Sequence, residues 1–303
     1  MREDRIGPYR MYNYKIIEYP NGTTQIRCYT IPLEKYDKNI ESWFDALCNP
    51  WDDECNDHKE QKEIYTDFDA IRFIEELPDD FIDALIKDAP TDEEKERYKA
   101  LKDNWNANRA KQKLYEYSRC YPWDYFVTFT MDGTKVNRYD YEECSKKLRK
   151  WLNNSKRTCP DLRYVVVPEQ HKDGAWHFHG LIANADGLRM TDSGHKVDKE
   201  PIYNIEAYNL GFTTATKVKD INRVSKYIGK YITKSLLECT RGKQRYYVSQ
   251  KLPKPIETKV YYDPEEVSMY DVINEYCEIH NKEVKYISSS ECEYFGVDYI
   301  ELD

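Results

Sequence analysis

The feature that most constrains the fold is a strand–turn–strand segment in the middle of the chain. Leu162 to Pro168 is a near-continuous apolar run rich in valine, Lys172-Asp173-Gly174 is a turn, and Trp176 to Ala183 returns as a second apolar strand. β-Branched and aromatic residues on either side of a glycine-containing turn specify an antiparallel hairpin. Further signals flank it. Tyr125 to Thr130 is a β-branched and aromatic strand closed by Met131-Asp132-Gly133-Thr134. Asp140, with Glu143 three residues on, caps a helix that should reach about Asn154. Phe212 to Val218 is a strand, Asp220 caps a helix running to about Leu237, and Arg245 to Gln250 is a further strand. The order predicts an α+β fold, a mostly antiparallel sheet with helices packed on one face.

Before this region, Tyr12 to Thr30 alternates around an Asn21-Gly22 turn and predicts a β-hairpin. Ile40 to Cys48 and Phe68 to Lys87 carry helical spacing, the latter interrupted by Pro78. Thr91 caps a helix that runs, with a break, to Tyr117. After Pro253-Lys254-Pro255 the chain turns acidic, with a helix over 264–277 and one or two strands over 284–302. We therefore divide it into an accessory region (1–105), a central domain (106–261) and an acidic C-terminal region (262–303).

Charge follows the same division. The net charge is -9, yet residues 106–261 hold 29 Lys+Arg against 17 Asp+Glu, a balance of +12, which leaves 17 basic and 38 acidic residues, or -21, for the rest. A basic segment within an acidic chain is the electrostatic footprint of phosphate binding. No stretch approaches the apolar length of a membrane span, and the N-terminus carries no secretory pattern. Nine cysteines without a CxxC pair suggest reduced thiols; Cys48 and Cys55 are the closest pair.

Three of the six histidines fall between His171 and His179. In a strand, residues i and i+2 share a face, so His177 and His179 project together while Phe178 points the other way. Glu169, before the turn, lies on the neighbouring strand, from which its side chain can cross to the imidazoles. Two neutral nitrogens and one carboxylate leave coordination positions open, which suits Lewis-acid chemistry on Mg²⁺ or Mn²⁺ more than a closed structural site. His171, at the turn, is expected as a solvated loop residue.

The helix after Asp220 has an apolar stripe of Ile221, Val224, Ile228 and Ile232. Tyr227, Lys230, Tyr231 and Lys234 form a second face, centred about 120° away. A phenol, with an ordinary pKa of about 10, is a poor nucleophile at neutral pH, and nearby lysines favour its ionised form. Helical angle makes Tyr227 the better exposed nucleophile and Tyr231 the packing residue.

Together these segments resemble the replication initiators of the HUH endonuclease superfamily, in the family's motif order. Phe126-Val127-Thr128-Phe129-Thr130 resembles the first motif, His177-Phe178-His179 the His-hydrophobe-His motif, and Tyr227-Ile228-Gly229-Lys230-Tyr231 the two-tyrosine motif of phage and plasmid initiators. Glu169 sits where related initiators place an acidic ligand. The resemblance covers roughly residues 106–261. It implies a five-stranded antiparallel sheet flanked by helices, and a rolling-circle replication initiator that nicks and rejoins single-stranded origin DNA through a 5′-phosphotyrosine. In that scheme His177, His179 and Glu169 hold Mg²⁺ or Mn²⁺, Tyr227 and Tyr231 are nucleophiles, and Lys230 assists at the phosphate. Host polymerase and helicase would be partners, in the cytoplasm of a bacterial host. The alternatives are a relaxase or transposase with the same chemistry, a structural metal site, or a non-enzymatic single-strand binder stacking bases on Tyr125, Phe126, Phe129 and Tyr164.

Overall fold

Strand and turn chemistry act where the sequence places them. The structure is a computed structural model and describes residues 11–34, 79–232, 236, 240, 243–291 and 296–303. In chain order it contains β1 (Met11–Glu18), β2 (Thr24–Glu34), α1 (Asp79–Asp88), α2 (Asp92–Arg119), β3 (Tyr125–Met131), α3 (Tyr141–Ser155), β4 (Arg163–Gln170) and β5 (Trp176–Ala183). There follow β6 (Met190–Val197), β7 (Glu200–Ile205), β8 (Gly211–Lys217), α4 (Ile221–Ile228), β9 (Tyr247–Val248), β10 (Ile256–Val260), α5 (Met269–His280), β11 (Val284–Glu291) and β12 (Gly296–Leu302). The fold is α+β, and the pairings among these strands are antiparallel. Among the described residues no helix is long and apolar enough to cross a membrane. The helical spacing at 40–48 and the Cys48/Cys55 pair lie outside the described residues, as does the Phe68–Pro78 part of the next segment.

The chain divides into two compact units, 1–105 with 255–303, and 106–254. The first holds a sheet in the order β10-β1-β2-β12-β11. Its seed is the β1–β2 hairpin: Gly22 takes φ +85°, and Asn21 Oδ1 accepts from the backbone N–H and hydroxyl of Thr23. Ile16, Ile26 and Ile300 pack with Val272, Ile273 and Tyr276 of α5. The acidic C-terminal strands thus complete a sheet begun by the N-terminal hairpin. Ile256–Val260, grouped by sequence with the central domain, pairs with β1 instead.

The second unit holds a sheet in the order β6-β7-β8-β3-β5-β4-β9. It has seven strands where the resemblance implies five. Asp140 caps α3 by accepting from the N–H groups of Glu142 and Glu143, while its own N–H donates to Asn137 rather than closing a reciprocal box. Trp151 of α3 meets Phe129 edge-on at 5.7 Å, and both belong to a core shared with Phe178, Leu148 and Leu152. Phe126, on the opposite face of β3 by strand alternation, contacts the rings of Tyr227 and Tyr231. Helices therefore cover both faces of this sheet, not one.

Three further expectations are corrected. The helix from Thr91 runs unbroken to Arg119. The strand expected over 245–250 shrinks to Tyr247–Val248. The helix expected from Asp220 to about Leu237 is interrupted at Ile228 and tightens into a 3-10 turn over Gly229–Tyr231, because Gly229 is a poor helix former and takes the C-cap position; most of the stretch beyond Ile232, with Lys234, lies outside the described residues.

Candidate active site

Register decides which side chains meet. β5 lies between β3 and β4, and Glu169 pairs directly with His177 while Thr128 pairs with His179 and Thr130 with His177. Directly opposed residues on antiparallel strands share a face, so Glu169, His177, His179, Thr128 and Thr130 stand together. Phe178 points away and is fully buried in the core, which anchors β5 between the two imidazoles.

The Glu169 carboxylate is the hub. Its Oε2 lies 2.7 Å from His179 Nε2 and 3.6 Å from His171 Nε2. His179 is buried and its Nδ1 lies 3.1 Å from the Thr128 hydroxyl. With Nε2–H donating to the carboxylate, Nδ1 accepts from Thr128; these roles are assigned from the partners. His171 is exposed at the turn, as expected, and also stacks on His177 at 3.7 Å, so it borders the cluster. Burial first, then the proximity of His171 and His179, pushes the His177 imidazole down to about 4. Burial also lowers His179, against the opposing pull of Glu169. Both rings are thus neutral at neutral pH, the form that offers a lone pair.

α4 covers this face. Asp220 caps it by accepting from the N–H groups of Asn222 and Arg223, and Ile228 and Ile232 are buried in the core. The Tyr231 ring lies parallel to His179 at 3.8 Å and 6°. Its hydroxyl donates to that of Tyr227 at 3.1 Å. Burial foremost, followed by the Tyr227 hydrogen bond, raises the Tyr231 pKa well above the ordinary phenol range. Tyr227 is 43% exposed, and the Lys230 ammonium sits 5.0 Å from its ring centroid. The expected contrast between an exposed Tyr227 and a packed Tyr231 holds, although Tyr231 packs on a histidine.

Could these residues hold a divalent ion? Among the described residues, no three His, Cys, Asp or Glu side chains stand ready as a coordination group, and His179 Nε2 is hydrogen-bonded to Glu169. The donor set fits nonetheless. It comprises two neutral imidazoles and a carboxylate on paired strand positions, and Thr128 can accept from Nδ1–H as readily as it donates to bare Nδ1. The Tyr231 ring stacks on the face of His179 and so lies outside the ring plane in which a metal would bind.

Sequence reasoning missed Thr128 as a partner of His179 and the stacking of His171 on His177. It also missed Phe212, which pairs with Thr130 on the same sheet face and is 60% exposed. Period-2 alternation would have placed Thr128 on one face with Phe126, but register with β5 is not written locally. The stacking platform of the non-enzymatic alternative does not form, since Phe129 and Tyr164 are buried.

Residues 124–236 match the family model of Replication-associated protein ORF2, which relates this part of the chain to replication-associated proteins. That span runs from the residue before β3 past the tyrosine pair. The chain matches no curated protein and no solved structure.

Proposed function

We propose that this protein initiates rolling-circle replication as an HUH-type, metal-dependent endonuclease that nicks and rejoins single-stranded origin DNA. The observation that carries the reading is the stacking of Tyr231 on His179 while its hydroxyl donates to Tyr227, so that two phenols, two neutral imidazoles and a carboxylate share one sheet face. Mg²⁺ or Mn²⁺, held by His177, His179 and Glu169, would supply Lewis-acid polarisation of the scissile phosphate.

The chain's own residues do the rest. Tyr227 Oη attacks phosphorus, the bond to the 3′-oxygen breaks, and the phenol proton ends on that leaving oxygen. The products are a 5′-phosphotyrosine and a free 3′-OH for a host polymerase. The Lys230 ammonium, beside the Tyr227 ring, offsets negative charge as the phosphate is attacked. Tyr231 acts second, once Tyr227 is occupied. The region's match to replication-associated proteins and its basic balance support DNA as substrate.

The test is incubation of the full chain with Mn²⁺ and a 3′-labelled origin oligonucleotide. Wild type and Tyr231→Phe should give a covalent protein–DNA band, Tyr227→Phe a weaker one through Tyr231, and Tyr227→Phe/Tyr231→Phe and His179→Ala none. An adduct that persists in the double tyrosine variant sinks the assignment.

A further inference from the structure

On the sheet face opposite the histidines, α3 borders a cavity of about 440 Å³. It is lined by Lys147, Lys150 and Asn154 of α3, by Asn209, and by an apolar floor that includes Leu188 and Leu210. Its volume lies in the range of small-ligand pockets, about 300–1,000 Å³. Lys147 and Lys150 are one helical turn apart and share a face. From Cys144 to Thr158 the chain has six basic residues and no acidic one. Among the described residues, no carboxylate pairs with either cavity lysine.

The chemistry of this lining is selective. Two exposed ammonium groups favour a phosphate. The Asn154 and Asn209 carboxamides each carry donors and an acceptor, the complement of a base edge. Leu210, half-buried, offers apolar surface for an aromatic ring. Trp151 Nε1–H donates to the Ala207 carbonyl, which ties the helix wall to the opposite loop.

We propose that this cavity binds a nucleoside phosphate, supplied either as a nucleotide within a DNA strand or as a free mononucleotide. The inference is independent of the nicking reaction, since the cavity shares no residue with the histidine–tyrosine site.

The experiment uses the full chain and two fluorescent probes, a labelled deoxyadenosine 5′-monophosphate and a labelled single-stranded 20-mer, titrated at fixed salt. Two variants are compared with wild type. Lys147→Gln/Lys150→Gln removes the charges, and Asn209→Phe fills the space at an exposed position without changing charge. Circular dichroism checks that both are folded. The expected result is mononucleotide binding that weakens by about tenfold or more in both variants, the loss of charge-assisted hydrogen bonds in one and of volume in the other. If the 20-mer displaces the mononucleotide, the source is a DNA strand; if it does not, the source is the free nucleotide. The proposal is overturned if wild type does not bind the mononucleotide, or if the folded Asn209→Phe variant binds it as wild type does, which would reduce the lysines to a solvated basic face.

Discussion

Thr128→Val isolates the hydroxyl that orients His179. Valine matches threonine in shape and suits a strand, so β3 keeps its pairing with β5. What is lost is the 3.1 Å contact to His179 Nδ1, on a ring only 7% exposed and therefore poorly served by water. In the metal-free protein the variant ring keeps Nε2–H on Glu169 and leaves a bare Nδ1 lone pair. Binding an ion at Nε2 forces the proton to Nδ1, where it meets a methyl group. An unsatisfied buried donor costs about 1–3 kcal/mol, and tenfold in affinity corresponds to about 1.4 kcal/mol. The metal-free ring loses its Nδ1 partner too, so that cost bounds the difference from above, and Mn²⁺ affinity should fall by up to about 100-fold, the upper end for partners of metal-bound histidines. Calorimetric titration of Mn²⁺ measures the change, with His179→Ala as the reference for loss of a ligand. If Thr128→Val binds as wild type while His179→Ala does not, the orienting role is wrong. If His179→Ala also binds as wild type, the metal site itself is wrong.

Four more outcomes follow from the structure. With His177 held at about 4 and His179 also lowered, protons compete weakly for these ligands. Mn²⁺ affinity should fall by much less between pH 7.5 and 5.5 than the roughly hundredfold that two ordinary imidazoles of pKa about 6.5 would cost; a hundredfold drop on titration would contradict the depressed values. The same shift has a sign for stability: the folded state binds fewer protons, so the contribution of His177 is complete above about pH 6.5 and is lost as pH falls through about 4, visible in denaturant melts. A Cβ on Gly211 would stand 2.0 Å from the Thr130 carbonyl oxygen, so Gly211→Ala should destabilise by about 3 kcal/mol in denaturant unfolding, and an unchanged midpoint would refute the close approach. Phe212→Ser should leave the midpoint unchanged, because the ring is exposed, yet weaken single-strand binding about tenfold in anisotropy titrations, the worth of one base stacked on an aromatic ring; wild-type affinity would remove Phe212 from the DNA path.

Local chemistry was legible and long-range pairing was not. The hairpin of β4 and β5 follows from its apolar runs and its turn, where Gly174 takes φ +86°. Asp140 and Asp220 cap the helices they precede through hydrogen bonds that a short polar side chain makes with nearby N–H groups. By contrast β6 and β7 lie largely outside the core, so Met190–Val197 carries no amphipathic signal. The acidic tail reads as strands, but its pairing with β2 joins segments from opposite ends of the sequence. Thr128 belongs to the same class: nothing near it announces that register will set it opposite His179.

In the proposed reaction, the hydrogen bond between the two phenols would order their use. Tyr231 donates and Tyr227 accepts, so the proton on Tyr231 is held by its neighbour while the Tyr227 proton is directed elsewhere. The raised pKa of Tyr231 expresses the same asymmetry, since burial and that donated bond both oppose its ionisation. Accepting a hydrogen bond does not stabilise the neutral phenol of Tyr227 as donating one does for Tyr231. It offers its oxyanion a ready donor once the proton leaves. When Tyr227 is esterified to phosphate, its oxygen loses negative charge and becomes a weaker acceptor, which releases Tyr231. In the proposed reaction the first attack would thus remove the restraint on the second nucleophile, and a two-step exchange of strands would need no rearrangement of the sheet. Tyr227→Phe deletes the acceptor as well as the nucleophile, so in that variant the Tyr231 pKa, followed by ultraviolet difference titration, should fall toward the ordinary phenol value; a pKa that stays at its wild-type level would show that burial alone sets it and would break the proposed order.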